Sequence, residues 1–166
     1  MLRKIYNGLD WLIKLGGYIA GILVLAMTFM IFYEVIARSF FGSPTTWATE
    51  LSIYALIGSG FLGSAYAVRK HSHITVDLLV ANMSEKGRVI LAYVTNVLGL
   101  LFSVIFTYYS MMHVTKTFEL GTTSTSLLRI PMYIPESLLP IGGVLLIIAF
   151  ILEIVDGKAH QGGDQL

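Results

Sequence analysis

Between Glu50 and Arg69 the chain runs for eighteen residues, Leu51 to Val68, without a formal charge. As an α-helix that run rises about 27 Å, close to the roughly 30 Å hydrocarbon thickness of a bilayer. The stretch therefore reads as a membrane span, and it fixes the class of everything around it. Ala55, Ser59, Gly63 and Ala67 recur at every fourth position within it. Lipid tails give helices no hydrophobic reason to associate, so such a shallow face predicts a helical partner packed against it.

Composition agrees with a polytopic membrane chain. The 166 residues are 55% hydrophobic and only 13% charged, with a mean hydropathy of +0.76, which argues against a soluble enzyme. The net charge of +1 decides nothing as a total, because the side on which each Lys or Arg falls matters more. No basic tract suggests nucleic acid, and the absence of cysteine removes disulfides, thiolate nucleophiles and thiolate metal sites.

A second uncharged run, Leu15 to Tyr33, is too long for a signal-peptide core and lacks a small-residue cleavage site after it. It reads as the first span, with Gly17 and Gly21 as a small-residue pair and with Met1 to Lys14 as an amphipathic lead lying along the interface. The expected architecture is an all-α integral membrane protein with four transmembrane helices, over about 11–37, 47–69, 88–113 and 131–155. Short in-plane helical segments join them, including a foot over about 74–83.

Candidate functional residues sit at the ends of these spans. Glu34 and Arg38 are spaced i, i+4 with the acid first, the orientation that favours an intrahelical ion pair. A subunit contact or proton coupling at Glu34 are the alternatives. Phe40, Phe41 and Trp47 form an aromatic belt or a docking surface around the turn of Gly42 and Pro44, with Thr45 or Thr46 available to cap the second helix. Arg69, Lys70, His71 and His73 form a basic patch, with Asp77 four residues from His73. That pair suits a subunit contact or a phospholipid headgroup, and its spacing does not make a metal site.

Ser84 is placed to cap the third helix, whose Asn96, Ser103 and Thr107 are each expected to make an interhelical hydrogen bond. His113 to Arg129 reads as a long polar loop, Pro140 predicts a bend in the last helix, and Asp156 to Leu166 reads as a disordered tail. Four spans place Arg3, Lys4, Lys14, Arg69, Lys70, Lys86, Arg88 and Lys158 on one side, and Arg38, Lys116 and Arg129 on the other. The positive-inside tendency puts both termini in the cytoplasm.

The middles of the spans lack the charge and the paired interruptions that a midplane transport site uses. The histidines lie where they would not hold haem at membrane depth, and no triad or zinc motif appears, so neither a cofactor nor an enzyme activity is expected. The residues alone lead to a helical accessory subunit that binds another membrane protein. A self-contained proton-coupled multidrug exporter acting as a homodimer through Glu34 is the alternative.

Arg38-Ser39-Phe40-Phe41-Gly42-Ser43-Pro44, Trp47, Glu50, Phe61-Leu62-Gly63 and Arg69-Lys70-His71-Ser72-His73-Ile74-Thr75-Val76-Asp77 together resemble the core of the small membrane subunit of TRAP transporters, the DctQ type. Thr49 departs from that pattern, since the family often carries two acidic residues after the tryptophan. The resemblance implies an inner-membrane scaffold paired with a large elevator-type subunit of the DctM type. A periplasmic binding protein would deliver an organic acid for sodium-driven uptake. It also implies interface or structural roles for Arg38, Trp47 and Glu50 on the outer side, and for Arg69, His73 and Asp77 at the cytoplasmic edge.

Overall fold

The computed structural model describes residues 2–70 and 84–163, with side-chain surroundings for 3–70, 84, 87 and 89–156. The described chain is mainly helical: α1 (Leu2–Phe41), α2 (Thr46–Arg69), α3 (Glu85–Glu119), the one-turn α4 (Tyr133–Glu136) and α5 (Leu138–Gly163). Four stretches are long and apolar enough to cross a membrane, Arg3–Phe41, Thr46–Arg69, Val89–Glu119 and Tyr133–Asp156. The protein is a multi-pass helical membrane protein. The expected foot over 74–83, with His71, His73 and Asp77, lies outside the described residues.

The helices are longer than the apolar runs. With 40 residues, α1 rises about 60 Å, about twice the hydrocarbon thickness. The amphipathic lead, expected as a separate interfacial segment, is thus one helix with the first span. Nothing at the junction breaks it: Gly16 and Gly17 face neighbouring helices, and an Asp10–Lys14 ion pair of 2.8 Å runs along the surface. At its start α3 is capped by Ser84, whose Oγ accepts from the Gly87 N–H. It then continues through Glu119, six residues beyond the expected loop start at His113.

Two backbone bonds close α3. Gly121 N–H donates to Phe118 O and Thr122 N–H to Thr117 O, with Gly121 at φ 60°, a left-handed cap that glycine adopts without strain. The following loop is a small hairpin. Ser124 N–H donates to Ile130 O at 2.8 Å and Met132 N–H to Thr122 O at 3.0 Å, around an antiparallel bridge between Thr123 and Pro131. The bend anticipated at Pro140 appears as the interruption at Ser137 between α4 and α5. Proline has no N–H to give the Glu136 carbonyl, so the helix cannot run through that turn unbroken. At the other end α5 remains helical to Gly163, where a disordered tail from Asp156 onward was expected.

Side by side, the helices follow the order α1, α2, α5, α3, with only light contact between α1 and α5. Burial follows that order: 33% and 39% of the apolar windows of α2 and α5 are buried inside the chain, against 6% in each outer helix. Each junction is set by a glycine receiving a large side chain. Tyr66 of α2 lies against Gly17 of α1, Phe61 of α2 against Gly142 of α5, and Phe150 of α5 against Gly99 of α3. In place of Gly142 any Cβ would stand 2.6 Å from Phe61 Cβ and 2.8 Å from its carbonyl oxygen, so α2 and α5 could not approach this closely.

Several serine and threonine hydroxyls inside the spans bond to their own helix, where interhelical bonds were expected. Ser103 donates to Gly99 O and Thr107 to Ser103 O, each at 2.7 Å along α3 itself, while Ser52, Ser59 and Ser64 do the same within α2. A short hydroxyl side chain reaches the carbonyl one turn back more readily than a neighbouring helix.

Candidate functional site

Charged and polar side chains gather at the two ends of the helical layer. At one end Arg69, the last residue of α2, joins three helices. Its Nε donates to Asp10 Oδ1 at 3.1 Å, Nη1 to Glu153 Oε2 at 3.0 Å and Asp156 Oδ2 at 2.7 Å, and Nη2 to the Tyr6 hydroxyl at 2.7 Å. The Tyr6 hydroxyl in turn donates to Asp156 at 2.7 Å, and the guanidinium carbon lies 5.7 Å from the Tyr6 ring centroid. The side chains of Arg69, Asp10 and Glu153 are 14%, 20% and 11% exposed, so water screens little of this interaction. Among the described residues, Arg69 and Lys14 are the cations paired with these carboxylates. The planar fork of arginine explains why one residue holds α1, α2 and α5 in register; an ammonium lacks that geometry.

At the opposite end two carboxylates organise the turns. Glu50, buried at 8% exposure in the first turns of α2, accepts from the Tyr54 hydroxyl at 2.5 Å and from the Ser126 hydroxyl at the tip of the hairpin. Ser126 is itself held by the Leu128 N–H at 3.1 Å and by Ser124, whose Oγ is 3.0 Å away. Glu34 of α1 accepts from both the backbone N–H of Thr45, at 2.7 Å, and its hydroxyl. Thr45 is the N-cap of α2 by backbone position, but its hydroxyl is committed to Glu34 and makes no capping bond. Between the two acids opens a cleft of about 640 Å³, lined by Thr45, Thr49, Tyr54 and the Thr122–Ser126 strand of the hairpin.

The sequence-based candidates distribute unevenly over this framework. Among the described residues the ion pairs do not include Glu34 with Arg38: Thr45 has taken the carboxylate, and Arg38 is exposed. The neutral donors win because the tight turn brings the backbone N–H of Thr45 directly onto the acid. Trp47 is partly exposed, with its ring centroid 5.6 Å from that of Tyr33. Ala55 and Ser59 are buried, Gly63 faces Ala20 of α1, whose Cβ would stand 3.3 Å from any Cβ at that position, and Ala67 is exposed. At Gly63 the small-residue face thus packs on α1 of the same chain. His73 and Asp77 lie outside the described residues.

Sequence reasoning missed the partners of the two key charges. Tyr54 stands four residues after Glu50, a spacing that could have been noticed. Tyr6, Asp10, Glu153 and Asp156 flank the same ends of their apolar runs as Arg69, which was also legible. Ser126 gave no signal, because only the folded hairpin brings it to α2.

Residues 27–159 match the family described as tripartite ATP-independent periplasmic transporters, DctQ component. The chain belongs to the DctQ family. DctQ-type relatives cover most of it at low identity. The C4-dicarboxylate TRAP transporter small permease protein DctQ of Vibrio cholerae is 26% identical over 160 residues, covering 82% of this chain and 69% of that protein. The sialic acid TRAP transporter small permease protein SiaQ of the same organism is 26% identical over 149 residues, 89% of this chain and 80% of that protein. The sialic acid TRAP transporter permease protein SiaT of Haemophilus influenzae is 35% identical over 75 residues, 45% of this chain. The chain spans only 12% of SiaT and 47% of a small permease protein of the same species.

Proposed function

We infer that this DctQ-family chain is the stationary small subunit of a TRAP permease in the bacterial inner membrane, not an enzyme. It pairs with a large elevator-type subunit and a periplasmic binding protein for sodium-driven uptake of an organic acid. The relatives' names, C4-dicarboxylate and sialic acid transporter subunits, support an acidic cargo. One structural observation carries the scaffold role: the charged groups bonded across helices lie at the two ends, where they fasten helices together, while the hydroxyls inside the spans bond to their own helices. Such a layer resists deformation against a moving neighbour and offers the cargo little to bind. The positive-inside tendency puts the Arg69 end and both termini in the cytoplasm and the Glu50 end outside. Arg38, Trp47 and the exposed part of the Glu50 end would then face the outer part of the complex.

Glu34, on which the exporter alternative depended, is bonded twice to Thr45, an arrangement that suits a structural tie. Membranes holding this chain alone should take up no organic acid. Co-expression with a large subunit and binding protein should give sodium-dependent uptake, and uptake by the lone chain would overturn the assignment.

A further inference from the structure

The hairpin after α3 has a polar side and an apolar corner. Ser126 bonds inward to Glu50 of α2, and Ser124 lies 3.0 Å from Ser126. The Arg129 N–H donates to Ser126 O at 3.3 Å, closing a turn that has Leu127 and Leu128 as its two central residues. Leu127 is 88% exposed and Leu128 43%. Arg129, next in the chain, is also exposed.

Two contacts fix the depth of this hairpin along α2. Its tip reaches Glu50 through Ser126, and its base reaches Tyr54, whose hydroxyl lies 3.7 Å from Met132 Sδ. Glu50 and Tyr54 are one turn apart, about 6 Å along the axis, so the hairpin lies across the end of the helical layer and does not project from it. Glu50 is the last charge before the uncharged run of Leu51 to Val68, which puts the hairpin at the edge of the hydrocarbon. Trp47 stands one turn before Leu51 with its ring 5.6 Å from that of Tyr33, and both residue types favour that level of a bilayer.

We propose that the Leu127–Leu128 corner is a lipid anchor: the two leucines enter the acyl-chain boundary of the leaflet at the Glu50 end, and Arg129 stays with the headgroup phosphates. A single exposed leucine on a surface is ordinary. Two at the corner of an otherwise polar hairpin, held at this depth and followed by a cation, match the edge of a bilayer, where apolar chains meet anionic oxygens. The depth favours lipid over a soluble protein, which would have to reach Leu127 at the level of the first turns of α2. Ser126 ties the hairpin to the helices from within, and the corner ties it to the membrane from without. The anchor needs only that the helices span a bilayer; it does not depend on the transport role.

The test uses the full-length chain in phosphatidylcholine vesicles. It has no cysteine, so Leu127→Cys carries a single thiol-linked fluorophore, and at 88% exposure the substitution leaves no cavity. Emission should fall by about half when the acyl chains are brominated near their headgroup ends, and aqueous iodide should quench it about threefold less than the free dye. Leu98→Cys, exposed on α3 within its span, is the lipid-facing reference. With the fluorophore moved to the exposed Thr125→Cys, adding Leu127→Ser and Leu128→Ser should raise iodide quenching about twofold as the corner leaves the lipid. Full iodide access at Leu127 without bromine quenching would overturn the anchor, as would an unchanged Thr125→Cys signal in the double-serine variant. Shielding from both quenchers would overturn it too, because a second copy of the chain would then cover the corner. Bromine quenching that vanishes when a large TRAP subunit is reconstituted alongside would assign the corner to that protein instead of lipid.

Discussion

Replacing Arg69 by Gln removes the one side chain that bonds to α1 and α5 together from the end of α2. The structure sets the size of the effect. Four hydrogen bonds of 2.7–3.1 Å disappear, and Asp10, Glu153 and Asp156 lose the guanidinium that they share. Breaking a buried charge pair by removing one partner costs about 3–5 kcal/mol. Asp156 is 38% exposed and relaxes into water, so the lower end, about 3 kcal/mol, applies. For a chain of this size that corresponds to a fall of about 6–12 °C in the thermal midpoint. The assay is the fraction of detergent-solubilised protein that stays monodisperse after heating, with the exposed Arg38→Gln as a control that should shift it little. Most of the loss should return when Asp10→Asn, Glu153→Gln and Asp156→Asn are added to Arg69→Gln, because the uncompensated charge causes it. A midpoint for Arg69→Gln indistinguishable from that of Arg38→Gln, or no recovery on neutralising the carboxylates, would refute the reasoning.

Gly142→Ala should destabilise the chain by about 1–3 kcal/mol, because the new methyl meets the backbone of Phe61. Gly60→Ala, with open space around it, should be neutral or gain up to about 1 kcal/mol from helix propensity in the same heating assay. Glu50→Gln should cost about 1–2 kcal/mol by weakening two charge-assisted bonds and should speed proteolysis within residues 124–129, seen as a new cleavage product by mass spectrometry. Ser103→Ala should change stability by less than about 0.5 kcal/mol despite complete burial, since its hydroxyl bonds only to its own helix. A larger loss, read from the same melting curves, would mean that the hydroxyl joins two helices after all.

The class of fold was legible because charge-free runs of bilayer length have one interpretation, and Gly17 of the Gly17–Gly21 pair lies where α1 meets Tyr66 of α2. Helix ends were less legible for a physical reason. Polarity changes at the membrane edge, but a helix continues past that edge until something stops it. Gly121 stopped α3 and Pro140 interrupted the last span, whereas nothing stopped α1 at Lys14. Pairing failed differently. Glu34 had Arg38 at the favoured spacing, yet the turn at Gly42 delivered Thr45 to it, and no local rule weighs a partner eleven residues away against one four residues away.

This preference for distant partners bears on what the layer can do. If Arg69 were available to a second protein, as the basic patch after α2 suggested, its four bonds to Tyr6, Asp10, Glu153 and Asp156 would have to break first. An approaching anion would compete with three carboxylates already in place. Arg69 therefore acts on any partner indirectly, by keeping α1, α2 and α5 in one register. The surfaces left for a neighbour are the outer faces of α1 and α3, where only 6% of each apolar window is buried inside the chain. Rigid fastening at the ends and exposed apolar flanks are complementary. Helices joined this way can be pressed from the side without sliding past one another, since sliding by one turn, about 5.4 Å, would separate Arg69 from its partners on α1 and α5.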